Sequence, residues 1–222
     1  MHTLLELYVV DLGHPLAEQA RGLGIEVVVV DERVLAAISE TVTPQGIVGV
    51  APLLDVPLDQ AVTSAARLVS VLESVSDPGN AGTVIRATDA AGGDAVVLTR
   101  DSVDPHNGKC VRASAGSLWH LPVVSGAGLE ESFELFRRTG MQVLGTTAAG
   151  AEDLEDLADA GALARPTAWL FGRESSGLSE QALAACDLTV RIPLRGRAES
   201  LNLATAAAVC LYTSARAQRG LQ

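Results

Sequence analysis

Lysine is almost missing from this 222-residue chain: Lys109 is the only one among 16 basic side chains. Positive charge therefore rests on arginine, whose planar fork suits bidentate contact with phosphate. Basic charge as a whole is also short, 16 side chains against 27 acidic ones and a net charge of −11, which argues against broad non-specific binding to nucleic acid. The deficit is uneven. Residues 1–60 hold nine acidic and two basic side chains, and residues 61–222 hold eighteen and fourteen. Cys110, Cys186 and Cys210 are odd in number, widely spaced and without a C-x-x-C pair, which excludes a disulfide framework and a zinc finger. The histidines, His2, His14, His106 and His120, have no metal-ligand spacing, so no metal is expected. No apolar run approaches the roughly 20 residues of a membrane helix, and the start lacks a basic segment followed by a long apolar one. No membrane association is expected, and the expected compartment is the cytoplasm. A G-x-G-x-x-G turn is lacking too: Gly22-Leu23-Gly24 and Gly126-Ala127-Gly128 have no third glycine, which removes the fingerprint of a nucleotide-dependent oxidoreductase. No internal repeat or low-complexity tract occurs.

What is present is a soluble globular composition, 48% hydrophobic, in a chain long enough for a full core. Residues 1–51 read as a small α/β unit: strand 7–10, helix 15–23, strand 26–30, helix 32–39 and strand 46–51. Pro52 and Pro57 mark a linker over 52–62. From 63 onward strands alternate with helices. Strands are expected at 67–72, 94–98, 121–124, 142–146, 167–171 and 188–192, and helices near 81–91, 109–115, 129–138, 181–185 and 201–218. The alternation predicts a mainly parallel, six-stranded sheet covered on both faces, with ligands at the carboxyl ends of its strands.

Three stretches at such strand ends carry polar residues in unusual company. The first, DPGNAGTVIR from Asp77 to Arg86, follows a strand, turns at Asp77, Pro78 and Gly79, and places Asn80 where a helix cap belongs. Taken alone, Asn80 is a cap and Arg86 a solvated charge. The second, FGRESSGLSE, follows the strand TAWL, and Gly172 and Gly177 let backbone approach a ligand closely. The third, IPLRGRAESLN from Ile192 to Asn202, passes from a strand through Pro193 and Gly196 to a helix starting near Ser200, where Ser200 and Asn202 face backbone N–H groups that lack helical partners. Between the first two, VDPHNGKCVRASAGSLWHLPV puts Lys109 and Arg112 on one helix face. Trp119 and His120 could stack on a base, although Trp119 reads first as core.

In this order the stretches closely resemble the three motifs of the SpoU (TrmH) branch of the SPOUT superfamily, RNA ribose 2′-O-methyltransferases. The resemblance spans about residues 63–218. More weakly, residues 5–51 are similar to the end of the small ribosomal-protein-like substrate-binding domain that precedes many such catalytic domains, with its first third missing. The middle segment is similar to one seen in the thiostrepton-resistance type. Arg173 departs from the family, standing where Asn is frequent. The resemblance implies S-adenosylmethionine as cofactor, ribosomal or transfer RNA as substrate, a C-terminal trefoil knot, and a homodimer paired through the knot and terminal helix. It implies a catalytic set of Arg86, Asn80, Glu174, Ser200 and Asn202. It implies a cofactor pocket of Thr146, Gly172, Ile192, Leu194 and Leu201, and RNA contact by Lys109 and Arg112. A non-catalytic RNA- or ribosome-binding relative that keeps the knotted fold is the alternative, motivated by the short acidic N-terminal unit.

Overall fold

The computed structural model describes residues 4–39 and 41–219; His2 lies outside them. By its internal contacts the chain forms two units, residues 1–53 and 54–222. The first is a three-stranded sheet in the order β2-β1-β3. Its elements run β1 (Glu6–Val9), α1 (Pro15–Gly22), β2 (Glu26–Val29), α2 (Glu32–Ile38) and β3 (Ile47–Val50). β2 lies parallel and β3 antiparallel to β1. Its core is small, with Leu7, Val9, Ala17 and Ala20 buried together.

The second unit holds a seven-stranded sheet in the order β6-β5-β4-β9-β7-β10-β8, with every pairing parallel. Along the chain it comprises α3 (Leu58–Ala61), β4 (Leu68–Leu72), α4 (Pro78–Ala90), β5 (Ala95–Thr99), α5 (Gly108–Ser114), β6 (Val123–Ala127), α6 (Leu129–Arg138) and β7 (Gln142–Thr146). It continues with β8 (Glu152–Asp153), α7 (Leu154–Asp159), β9 (Thr167–Phe171), α8 (Glu180–Ala185), β10 (Leu188–Arg191) and α9 (Leu203–Ala217). Six strands were expected. The seventh is β8, too short to leave a pattern, which pairs with β10 at the edge.

Both faces of the sheet are covered, which is why its strands read as continuous apolar runs. Along β4, Leu68 and Leu72 enter one core with Val84 and Ile85 of α4 and Ala207 and Leu211 of α9. Val69 and Val71 enter the other with Phe133 and Phe136 of α6 and Ala182 of α8. The expected linker is partly core as well: Leu58, Ala61 and Val62 are buried in that second cluster. α9 is fixed by polar contacts within the first face. Trp169 Nε1 donates to Ser214 Oγ at 2.8 Å, and Gln218 Nε2 donates to the Arg165 carbonyl at 2.9 Å.

One connection is unusual. β7 and β8 lie on opposite sides of β10, so residues 147–151 carry the chain from one side of β10 to the other. A side chain at Gly150 would meet the Arg191 nitrogen at 2.4 Å, so the crossing lies against the β10 backbone and admits only glycine there. Arg191 then clasps it, donating to the carbonyls of Gly150 and Ala151 at 3.1 and 3.0 Å.

Candidate functional site

Because the strands are parallel, the loops after β4, β7, β9 and β10 meet at one edge, where an open α/β sheet offers a crevice. A cavity of about 550 Å³ lies there, lined by Thr146–Ala148, Phe171–Glu174, Ser176, Gly177, Val190, Ile192, Leu194, Glu199–Leu203 and Ala206. Its size suits a nucleotide-sized ligand. Each of Thr146, Gly172, Ile192, Leu194 and Leu201, expected around the cofactor, lines it, as do Glu174, Ser200 and Asn202. Thr147, Ser176 and Glu199, on loops, and Leu203 and Ala206, at the start of α9, also line it, where no spacing signalled them.

The β9 loop is a closed turn. Arg173 and Gly177 exchange backbone hydrogen bonds at 3.1 and 2.8 Å, and a Cβ on Gly172 would meet the Gly177 carbonyl carbon at 2.2 Å. Gly177 has φ +71°, so both glycines are required for their backbone geometry.

Asn80 does not cap its helix, as the sequence had suggested. Pro78 takes the first helical position and Asp77 is the cap, accepting from the Asn80 nitrogen at 2.8 Å. The Asn80 side chain is thereby free to reach across the site. Its Nδ2 donates to Glu174 Oε1 at 3.0 Å, and its Oδ1 accepts from Asn202 Nδ2 at 3.0 Å. Asn202, not Ser200, caps α9, its Oδ1 accepting from the nitrogens of Ala204 and Thr205. The cap requires oxygen toward the helix, so Nδ2 must face Asn80, and the Asn80 amide is oriented in turn. The relay ends on Glu174, which also accepts from the backbone of Ser76 and Asp77, both at 3.3 Å, and from Ser76 Oγ at 3.2 Å. Burial alone would raise the Glu174 carboxyl. Hydrogen bonds from Asn80, its own backbone, Ser76 and Asp77 outweigh that and hold it below the ordinary glutamate value.

The cations stand apart from this relay. Arg86 is exposed on α4, does not line the cavity, and makes no ion pair among the described residues. At six residues past Asn80 it is about 9 Å further along the helix and roughly 120° around it. Arg112 is exposed on α5. Lys109, expected to face phosphate, lies instead on Asp77 Oδ2 at 2.7 Å, bracing the turn before α4. That contact, then the Asn80 N–H, lowers the Asp77 carboxyl. α5 packs tightly on α4, since a Cβ at Gly82 would meet the Cys110 carbonyl oxygen at 2.3 Å. Trp119 is not core: it is 40% exposed, beside His120, whose Nδ1 lies 2.7 Å from Asp89 Oδ2. Burial pushes the Cys110 thiol up to about 11 and Cys186 to about 12, leaving both protonated and poor nucleophiles. No cluster able to hold a metal occurs among the described residues.

The model of the SpoU rRNA methylase family matches residues 67–212, and that of the RNA 2′-O ribose methyltransferase substrate-binding domain matches residues 4–56. The chain belongs to the SpoU rRNA methylase family. It is 37% identical over 189 residues to the 23S rRNA (guanosine(2553)-2′-O)-methyltransferase RlmP of Bacillus subtilis, covering 85% of this chain and 72% of that protein. It is 33% identical to the 23S rRNA (guanosine-2′-O-)-methyltransferase RlmB of Bordetella pertussis, over 91% of this chain and 83% of that one. Among solved structures, the SpoU methyltransferase AviRb of Streptomyces viridochromogenes in complex with AdoMet superposes with a TM-score of 0.84 at 30% identity, covering 96% of this chain and 82% of that one. The AdoMet-bound rRNA methyltransferase of Sinorhizobium meliloti gives 0.83 at 30% identity, covering 96% and 80%.

Proposed function

We propose that this SpoU family member is an S-adenosylmethionine-dependent RNA ribose 2′-O-methyltransferase acting in the cytoplasm on ribosomal or transfer RNA. The observation that carries the reading is the cavity at the carboxyl edge of the sheet, two of whose lining residues, Glu174 and Asn202, are joined through the Asn80 amide. Relatives named as 23S rRNA 2′-O-methyltransferases and neighbours crystallised with AdoMet support it. The lining fits the cofactor: apolar Ile192, Leu194 and Leu201 form walls, and the carboxylates of Glu174 and Glu199 suit a cationic ligand. When bound, S-adenosylmethionine supplies a methyl group on a positively charged sulfur.

The rest is work for the chain's own residues. Gly172, Thr146, Ile192, Leu194 and Leu201 hold the donor, and Glu174, Asn80, Ser200 and Asn202 fix the geometry at its mouth. A ribose hydroxyl attacks poorly until its proton leaves, and arginine, protonated at neutral pH, has no site free to accept that proton. Arg86 therefore grips the phosphate of the target nucleotide and stabilises the charge growing on the attacking oxygen, whose proton passes to solvent water as the oxygen takes the methyl group from sulfur. Arg112 adds a phosphate contact. Catalysis is orientation plus electrostatic help at one oxygen.

The same reading includes a homodimer and a threaded C-terminal segment. Exposed Leu194, Val209 and Tyr212 on the outer side of α9 and its approach support a second copy there, and the passage of residues 147–151 around β10 supports the threading. The test is transfer of tritium from labelled donor to RNA of a strain lacking this gene, with the labelled nucleoside mapped. A 2′-O-methylated nucleoside, formed by the wild type and not by Arg86→Ala, is expected. Donor binding without transfer to any RNA would leave the non-catalytic relative as the better reading. Sedimentation at micromolar concentration checks the dimer.

A further inference from the structure

Glu73 is a buried acid that the chemistry above does not use. It follows β4 directly, is 6% exposed, and has no cationic partner among the described residues. A buried carboxylate without a cation is costly, and an apolar residue of similar size would serve stability at least as well. Its contacts point to what the carboxyl group is for. The backbone N–H of Glu73 donates to the Phe171 carbonyl at 2.8 Å, at the entry to the β9 turn. Its side chain accepts from the Ser179 nitrogen at 3.0 Å and from Ser179 Oγ at 2.5 Å, at the exit of the same turn. Ser179 is also the cap of α8, accepting from the Ala182 nitrogen at 3.1 Å. One residue thus holds both feet of the turn, which supplies Gly172, Arg173, Glu174, Ser176 and Gly177 to the cavity wall.

Two further contacts run between the same loops. Arg173 Nε donates to the Ser74 carbonyl at 3.0 Å, and Ser74 is held at φ +54°, a conformation uncommon outside glycine. Glu174 reaches the other way, to Ser76 and Asp77. The two loops therefore exchange acids: Glu73 of the first is tied to the second, and Glu174 of the second to the first.

We propose that Glu73 is a positioning residue for the donor-binding turn, setting its shape from beneath through Ser179 without touching the donor. The inference rests on the proposed function only in naming the ligand; the geometric part stands by itself. The closing experiment has two readouts: calorimetric binding of S-adenosylhomocysteine, and hydrogen exchange of the amides of residues 172–178. Both are read on the wild type, Glu73→Gln, Ser179→Ala, Ser179→Thr and the double variant Glu73→Gln/Ser179→Ala. Expected is a loss of about tenfold in affinity for Glu73→Gln and for Ser179→Ala, the worth of a hydrogen bond to a charged group. The double variant should lose no more than Ser179→Ala, because the hydroxyl contact that Glu73→Gln weakens is already gone in Ser179→Ala, which also loses the α8 cap that Ser179→Thr keeps. Ser179→Thr, which keeps hydroxyl and cap, should bind as wild type. Methyl transfer at saturating donor should stay within about threefold, a split between KM and kcat that general destabilisation would not produce. Exchange at 172–178 should speed up while the β4 and β9 amides stay protected. Unchanged affinity and exchange in Glu73→Gln, or losses that multiply in the double variant, would overturn the proposal. Should Glu73→Gln fail to fold, the Ser179→Ala and Ser179→Thr pair decides it. A wild type that binds no donor would sink the functional reading instead, and faster exchange in the turn would still bear on Glu73.

Discussion

The wall formed by the β9 turn and the helix face that carries Arg86 follow opposite plans. The wall is saturated: Glu174 takes four hydrogen bonds, Glu73 two, and the asparagine relay leaves no freedom in either amide. The helix face is open, with Arg86 and Arg112 exposed and making no ion pair among the described residues. A small donor can be met by a surface already in its final shape, which avoids ordering costs on binding. In the proposed reading a large RNA brings its own charges, and arginines left unpaired have nothing to give up before meeting phosphate.

That contrast can be broken first at Arg86. Arg86→Ala should lower single-turnover methyl transfer about 10²–10³-fold, the usual cost of losing one stabiliser of a developing oxyanion, with donor affinity unchanged in calorimetry. Next is Gly172→Ala on the closed wall. Its Cβ would fall 2.2 Å from backbone carbon, so the turn must open. Donor binding should be lost, and the melting temperature should fall by an amount equivalent to about 1–3 kcal/mol, read by thermal denaturation.

A smaller effect sharpens the role of charge in the wall. The Glu174 carboxyl is held low in the folded protein, so its ionised form stabilises the fold above the ordinary glutamate value and that contribution is lost as pH falls through the depressed one. Wild type should lose melting temperature on acidification below about pH 4.3 more steeply than Glu174→Gln, and the two should run parallel above it. Smallest is the difference between the two α5 cations. Arg112→Met should reduce the salt dependence of RNA binding by about one phosphate contact. Lys109→Met should leave that slope alone, because Asp77 already holds the ammonium, and should cost about 0–1 kcal/mol of stability, as exposed pairs do.

The strands of the second unit were legible because burial on both faces makes them continuous apolar runs. β7, β9 and α6 fall on the expected residues. β8 and α7 were not, since two residues and a short acidic helix leave no period to read. Cavity-lining residues were legible where a motif carried them, and residues that act only through tertiary contact were not. Glu73 looks like an ordinary charge after a strand, and nothing local reveals that it meets Ser179, 106 positions away. Asn80 shows how far a residue read by itself can mislead. Taken alone its residue type fits a cap, and only the motif places it in the site; Asp77 and Pro78 take the capping task and release the amide.

The detour around β10 also dictates an order of events. β8, at the sheet's margin, has β10 as its sole neighbour among the described residues, and β10 is made later. While the chain is being synthesised, residues 152–153 have nothing to pair with until 188–191 leave the ribosome and slide in beside β7. The Arg191 clasp on the Gly150 and Ala151 carbonyls closes only then. A product that stops short of Leu188 would lack both the latch and one wall of the cavity.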